Sequence, residues 1–277
     1  MPELPEVETV RRCLDSVLAG QRIVDAEVLE DSIVLKGATA SSVREQLVGR
    51  TVSGTGRKGK TWWIEFGDEP WLYGHLGMSG WIRELGAPTI RLKEHGEAPL
   101  DDSDGRPRFL KLLLTAESGR RVALTDGRRL ARLWIGAHSS REPALEKLGP
   151  DAWLEQPDLR PLMEKRKAPI KAILMDQAIV SGIGNWIADE VLYQARIRPS
   201  RPCNELKPAE WTALQGALAE VLDHAVRVGA DSAQFPAGWM FHHRWGGGKG
   251  AEFIDGHSII RETVGGRTTA WCPDLQK

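Results

Sequence analysis

The chain opens Met-Pro-Glu-Leu-Pro-Glu, and its first residues with chemical potential are Pro2 and Glu3. An N-terminal α-amine titrates about two to three units below a lysine, so a useful fraction is neutral and nucleophilic near pH 7 without burial. Proline in second position tolerates removal of Met1, and removal leaves a secondary amine. Glu3, beside it, is placed to move a proton, and a first-turn glutamate also favours the positive end of a helix dipole. A Met-Pro start is common and by itself assigns nothing.

Other chemistry-bearing residues lie far along the chain. Lys60 sits in a basic turn, "RKGKT", with Arg57 and Lys58. Gly182 and Gly184 in "SGIGN" let the chain turn tightly before a helix starting near Asn185, whose first-turn amides suit an anion. Gly265-Gly266 separates two β-prone runs as a primed hairpin turn would, which places Arg267 first on the return strand. Cys272 stands where a Cys-x-x-Cys pair would begin, but position 275 is Leu. His242, His243 and His257 are the remaining ligand types nearby; neighbouring histidines on a strand point to opposite faces, so His242 and His243 do not share a metal. The sequence therefore predicts no metal, and a terminal hairpin held by Trp239, Phe241, Trp245, Phe253, Ile260 and Trp271.

These residues need a scaffold of two kinds. A helix from about Glu3 to Leu18 carries Val7, Val10, Leu14 and Leu18 on one face. Five β-rich runs follow, from "QRIVDAEVLEDSIVL" to "ARLWIG", punctuated by Gly, Pro and Asp. After "LGPDAW" apolar residues recur at helical spacing in "APIKAILMDQAIV", "NWIADEVLYQARI" and "KPAEWTALQGALAEVLDHAVRVG". The chain returns to β after Phe235. At 277 residues it has room for more than one core. Three cysteines, odd in number and far apart, predict a reducing, cytoplasmic setting rather than a disulfide framework. No run is apolar enough to span a membrane. A net charge of -1 conceals segregation: Glu94, Glu97, Asp101, Asp102 and Asp104 crowd one polar stretch, while "GRRVALTDGRRLAR" and "MEKRKAPIK" are basic, as a polyanion partner or two solvated faces would require.

"MPELPEVETVRR", "GRKGKTWWIEF", "HLGMSG", "LTDGRRLARLW", "LGPDAW", "IKAILMDQAIVSGIGNWIADEVLYQARIRP" and "GGRTTAWCP" together resemble, in order and over nearly the whole chain, the formamidopyrimidine-DNA glycosylase and endonuclease VIII family of base-excision repair enzymes, closest to the formamidopyrimidine branch. The resemblance implies an α+β chain: an N-terminal catalytic β-sandwich with flanking helices (1–135), a linker (136–150), a helix-two-turn-helix DNA-binding domain (151–234) and a finger hairpin (235–277). It implies a bifunctional DNA glycosylase and apurinic/apyrimidinic lyase that removes oxidised purines. Pro2 is then the nucleophile, Glu3 the acid at the sugar ring oxygen, Glu6 a supporting carboxylate, and Lys60 and Arg267 the phosphate-contacting cations at the lesion. Extrusion of a nucleotide leaves a void, which the resemblance fills with Met78, Arg129 and position 130. His75, Lys171 and Asn185 complete the implied DNA contacts.

Three departures qualify this. Leu130 stands where the branch usually has Phe, and a leucine stacks poorly. Only Cys272 remains of the finger's four zinc cysteines, so the resemblance is to members with a zinc-less finger. "VGADSAQFPAGWMFHH" is short where relatives specialised for 8-oxoguanine carry a loop over the flipped base, which favours ring-opened purines and further-oxidised guanine. The expected partner is double-stranded DNA with a damaged base, bound by a monomer without cofactor or membrane, in a nucleoid-associated, bacterial-type setting. The rival readings are a DNA-lesion-binding protein without catalysis and a structural protein that ignores nucleic acid.

Overall fold

The computed structural model describes residues 2–87, 101–245 and 252–277. The chain divides into two compact units, Met1–Lys147 with Gly229–Ser232, and Leu148–Val228 with Ala233–Lys277. Glu94 and Glu97 of the acidic stretch lie outside the described residues, whereas Asp101, Asp102 and Asp104 are exposed.

The first unit begins with α1 (Leu4–Leu18). A capping box starts it, with the Glu3 amide donating to the Glu6 carboxylate at 3.1 Å. Leu4, Val7, Val10, Leu14 and Leu18 are buried along one side, as their spacing predicts. Eight strands follow: β1 (Ile23–Val28), β2 (Val52–Lys58), β3 (Thr61–Phe66), β4 (Trp71–His75), β5 (Trp81–Glu84), β6 (Leu110–Ala116), β7 (Arg121–Thr125) and β8 (Arg132–Gly136), with α2 (Ala40–Glu45) and α3 (Pro143–Glu146) between and after them. They form a β-sandwich of two four-stranded sheets, ordered β1-β6-β7-β5 and β2-β3-β4-β8, and all neighbours are antiparallel. Period-two alternation turns Leu110, Leu112, Leu114 and Ala116 of β6 inward. Helix α1 packs on strands of both sheets, β2 and β3 from one and β5 from the other. The expected linker is in large part structured: the buried Glu142 carboxylate accepts hydrogen bonds from Trp134 Nε1 and the Ala137 amide, both at 3.2 Å, so residues through 147 belong to this unit.

The second unit carries α4 (Leu159–Met163), α5 (Ile170–Leu174), α6 (Asn185–Gln194) and α7 (Pro208–Arg227), then a three-stranded sheet of β9 (Glu252–Ile254), β10 (His257–Val264) and β11 (Arg267–Trp271). The hairpin, expected as a unit of its own, is part of the helical one. A buried ionic cluster fastens it. Lys171 is 0% exposed, with Nζ 2.6 Å from Asp189 Oδ1, 2.7 Å from Thr269 Oγ1 and 3.2 Å from the Thr268 carbonyl. Arg244 reaches the other oxygen of Asp189 at 3.0 Å. One carboxylate on α6 thus holds a lysine from α5, an arginine from the segment before β9, and β11.

The hairpin's packing differs from expectation. Ile254, Ile259, Ala270 and Cys272 join Tyr193 and Met240 in one buried cluster, and Leu275 packs against it. Phe253, Ile260 and Trp245 are exposed, whereas Phe241 and Trp271 are buried. Strand periodicity explains the choice between neighbours: Ile259 and Ile260 point to opposite faces, and Phe253 shares the outer one. His242 and His243 lie in and just after a 3₁₀ turn, not on a strand, and each ring lies near a backbone carbonyl.

Removing Lys171 leaves Asp189 paired with Arg244 but strips the buried Asp189 Oδ1 and Thr269 Oγ1, and the Thr268 carbonyl, of a donor. Lys171→Met is expected to lower unfolding free energy by about 3 kcal/mol in urea titration, whereas the exposed Lys165→Met leaves it unchanged.

Candidate active site and nucleic-acid interface

The first unit gathers Pro2, Glu3, Glu6, Lys60 and His75. Pro2, Glu3, Glu6 and Lys60 are all buried. Lys60 occupies a two-residue turn joining β2 to β3 behind Gly59 at φ 57, a positive angle that glycine adopts without strain. That turn is braced to the start of α1. Arg57 of the basic turn is buried: its Nε lies 3.2 Å from Glu8 Oε2 and its Nη1 donates to the Gly59 carbonyl at 2.9 Å. Glu8 also binds Arg11 and Arg12. Burial alone would raise the Glu8 pKa, but Arg11 and Arg57 outweigh it and keep it lowered, so the brace is ionic at neutral pH.

His75 ends β4. Burial, then the charges of Lys60 and Arg132, push its pKa down to about 4. Its Nδ1 accepts the Gly77 amide at 2.9 Å, so at neutral pH the imidazole is uncharged and carries its proton on Nε2.

Met78 and residues 126–131 form a second group in this unit, organised by Asp126. Its buried carboxylate accepts the amides of Arg128 (3.0 Å), Leu130 (2.6 Å) and Ala131 (2.6 Å) and the Ser79 hydroxyl (2.6 Å). Burial opposes ionisation, yet the bonds from Ala131, Ser79, Arg128 and Leu130 hold the pKa below the usual carboxylate value. Gly77, at φ 63, lies so close to the Leu130 carbonyl that a side chain there would collide with it. Met78 is thereby presented from the same platform, 43% exposed.

The structure separates the two arginines of this group. Arg129, at φ 56, spends its guanidinium on Asp31, with Nε at 2.9 Å and Nη2 at 3.0 Å, and Lys111 joins the same carboxylate at 2.9 Å. The hydrogen bond from Arg129, followed by Lys111 and the Val34 amide against a burial penalty, holds Asp31 far below the ordinary range. Arg128, one residue earlier, is exposed, and among the described residues its guanidinium has no hydrogen-bond or ion-pair partner. "DGRRLA" gives no means of choosing between adjacent arginines; the choice depends on Asp31, about a hundred residues upstream in sequence.

In the second unit, Gly265 (φ 59) and Gly266 (φ 73) make the expected tight turn, and Arg267 opens β11, exposed. A Cβ on Gly265 would lie 2.8 Å from the Ala172 Cβ, so the hairpin tip rests on α5. Asn185, the first residue of α6 after a glycine N-cap, donates from Nδ2 to the Thr268 carbonyl at 3.1 Å. Arg267 and the start of α6 therefore share one surface. Lys171 does not: its ammonium is consumed inside the unit, which corrects its assignment as a DNA contact.

Cys272 is fully buried among apolar side chains. Among the described residues, His257, Cys272 and Asp274 bring one possible ligand atom each within 4.8 Å of one another. Three such ligands fall one short of the closed tetrahedral set of a structural zinc site. The thiol's apolar neighbours and Leu275 do the packing instead.

Two domain families match the sequence: "Formamidopyrimidine-DNA glycosylase N-terminal domain" over residues 1–133, and "Formamidopyrimidine-DNA glycosylase H2TH domain" over residues 148–237. A formamidopyrimidine-DNA glycosylase of Arabidopsis thaliana is 39% identical over 280 residues, covering 100% of this chain and 71% of that protein. One from Lactococcus lactis subsp. lactis is 30% identical, with 100% of both covered. The fold matches the crystal structure of the Lactococcus lactis enzyme non-covalently bound to DNA containing an AP site, with a TM-score of 0.80 at 28% identity and 100% of both chains covered. It is also similar to MutM in complex with DNA containing carbocyclic 8-oxo-G, with a TM-score of 0.79 at 29% identity and 100% of both chains covered.

Two outcomes follow from this geometry. Chelation with EDTA or phenanthroline should leave activity and melting temperature unchanged; a loss restored by zinc would assign a metal to His257, Cys272 and Asp274. His75 has a folded pKa below its unfolded value, so the unfolded chain binds the extra proton between about pH 6.5 and pH 4. Its contribution is full above that window and lost as pH falls through it, by about 3 kcal/mol. His75→Gln should flatten that part of the stability–pH curve.

Proposed function

The chain belongs to the formamidopyrimidine-DNA glycosylase family, whose members are DNA glycosylases and apurinic/apyrimidinic lyases of base-excision repair, and we propose that it performs this reaction with Pro2 as nucleophile and Glu3 as acid. The observation that carries the assignment is a buried carboxylate pair, Glu3 and Glu6, at the head of α1, which the Glu8–Arg57–Gly59 brace ties to the turn holding Lys60.

The chemistry follows from the residue types. Removal of Met1, which lies outside the described residues, frees the Pro2 secondary amine. A bond forms between that nitrogen and the anomeric carbon of the damaged nucleotide, and the glycosidic bond breaks as the base leaves. Glu3 gives its proton to the sugar ring oxygen as the ring opens. A secondary amine can then yield only a cationic iminium, which acidifies the neighbouring C–H and drives β- and then δ-elimination of the flanking phosphates. Lys60 is assigned to the phosphate beside the lesion, with His75 next to it, uncharged and able to donate from Nε2. Keeping that imidazole neutral leaves the positive charge on the lysine.

Arg267 and the start of α6, with Asn185, are assigned to the backbone around the lesion, where contacts position the duplex without reading sequence. Met78, Leu130 and Arg128 are assigned to the void left by extrusion, with Arg128 taking the part expected of Arg129. The substrates are lesion-containing duplexes bound by a monomer, and the chain would act where the chromosome lies. Phe235 packs against Trp186, Trp239 and Phe241 with ring centroids 5.7, 5.0 and 4.9 Å apart. The shortness of "VGADSAQFPAGWMFHH", rather than this packing, supports a preference for ring-opened purines and further-oxidised guanine over 8-oxoguanine. No helix among the described residues is long and apolar enough to cross a membrane.

Borohydride trapping on an abasic duplex, with intact-mass confirmation that Met1 is absent, should give one covalent adduct whose linked peptide carries the reduced bond on the Pro2 nitrogen, and none once that nitrogen is acetylated. No adduct from Met1-free protein would leave a lesion-binding protein instead. Arg267→Ala should weaken duplex binding about 10- to 100-fold, the scale of one charge-assisted contact, and reduce the salt dependence by about one counterion.

A further inference from the structure

Phe109 stands immediately before β6 in a conformation that internal packing does not explain. It is 52% exposed, and its backbone has φ 58, a left-handed angle uncommon for any non-glycine residue and a genuine outlier for a bulky one. The backbone is locked there because the Phe109 carbonyl accepts the Asp126 amide at 2.9 Å. The ring lies flat against a bare stretch of the same loop: a Cβ on Gly127 would be 3.3–3.5 Å from three of its atoms. The Arg108 guanidinium is 5.3 Å from the ring centroid. The fold thus accepts backbone strain to hold an apolar ring in water, one residue from Arg128.

We propose that Phe109 is the aromatic element of lesion recognition in this protein, stacking on a base beside the extruded nucleotide, while Leu130 fills space without stacking. The proposal rests on the reading of the chain as a lesion-extruding glycosylase. Asp126 joins the parts: the same residue binds Phe109 through its amide and Ser79, Arg128 and Leu130 through its carboxylate. The exposed thioether of Met78, the Arg128 guanidinium and the Phe109 ring therefore all project from groups that Asp126 positions. The occupant is a nucleobase because the surface couples a flat ring with two unpaired cations, Arg108 and Arg128 (among the described residues), and bases bring both a π-face and a phosphate. Glycine at 127 suits this design, since a larger residue would push the ring out of place.

The test uses lesion-bearing duplexes with 5-iodouracil at each position flanking the lesion. Irradiation should crosslink Phe109, identified by peptide mass, from a position adjacent to the lesion. In single-turnover excision, Phe109→Ala and Phe109→Leu should both be slower by on the order of tenfold, the worth of one base–aromatic stack, with Phe109→Tyr and Phe109→Trp restoring the rate. Trapping of the wild-type protein on a single-stranded abasic oligonucleotide, which needs no wedge, checks separately that its amine is competent. Phe109→Gly removes the backbone strain, so it should melt at or above the wild-type temperature while losing excision, which separates recognition from folding. Crosslinks that map elsewhere, or Phe109→Leu excising as fast as wild type, would overturn the proposal. Wild-type protein that traps nothing on either substrate would overturn the catalytic reading itself.

Discussion

The buried carboxylate of Asp126 is the constraint on which the surface carrying Met78, Arg128 and Leu130 depends. A carboxylate is expensive to bury and is retained where several donors converge on it. Here three loop amides, of Arg128, Leu130 and Ala131, and a serine hydroxyl do so. Those donors lie on two separate loops, so satisfying one charge fixes the relative positions of Met78, Arg128 and Leu130. Its own amide fixes Phe109 as well. Side chains that enter a duplex must keep their shape without help from a packed core. A charge-centred hydrogen-bond network supplies that rigidity from beneath, leaving the outward faces uncommitted.

Asp189 plays the corresponding part in the second unit. It gathers Lys171, Arg244 and the Ala270 amide, and with them the strand that begins at Arg267. A metal in a hairpin does two things: it ties strands together and aims the turn. Here the two tasks are divided. The apolar cluster around Cys272 and Leu275 ties the base of the hairpin, and the Asp189 cluster and the close seat of Gly265 on α5 aim its tip. Leu275 belongs to that division of labour, since a ligand there would have to be withdrawn from the apolar cluster it supports.

Much of the fold was legible because it is written in local periodicity. The α1 face, the alternation of β6 and the Gly265-Gly266 turn each follow from short stretches read alone. The proposed site is easiest to read where its residues cluster in sequence, as Pro2, Glu3 and Glu6 do. It was opaque where one charge chooses among neighbours. Nothing around Arg128 and Arg129 says that Asp31 takes the second, and nothing around Lys171 says that Asp189 lies within reach. Nothing in the basic turn around Arg57 shows that Glu8, on a distant helix, pairs with it. The hairpin's core was misread for a related reason: choosing Ile260 over Ile259 inverts the face, and the phase of a strand is set by what packs on it.

Phe109 is a further position that sequence preference does not foresee. A bulky residue at positive φ and an exposed ring each contradict local preference, and no sequence pattern announces either. Structures keep such contradictions where surrounding contacts over-determine them. The Asp126 amide and the bare Gly127 do so here, at the edge of a loop whose other residues are equally committed beneath and exposed above. A leucine at 130 in place of an aromatic ring need not mean that stacking was given up. On the proposal made for Phe109, which is anchored to the same carboxylate-centred loop, stacking falls to the neighbouring strand and space-filling to position 130.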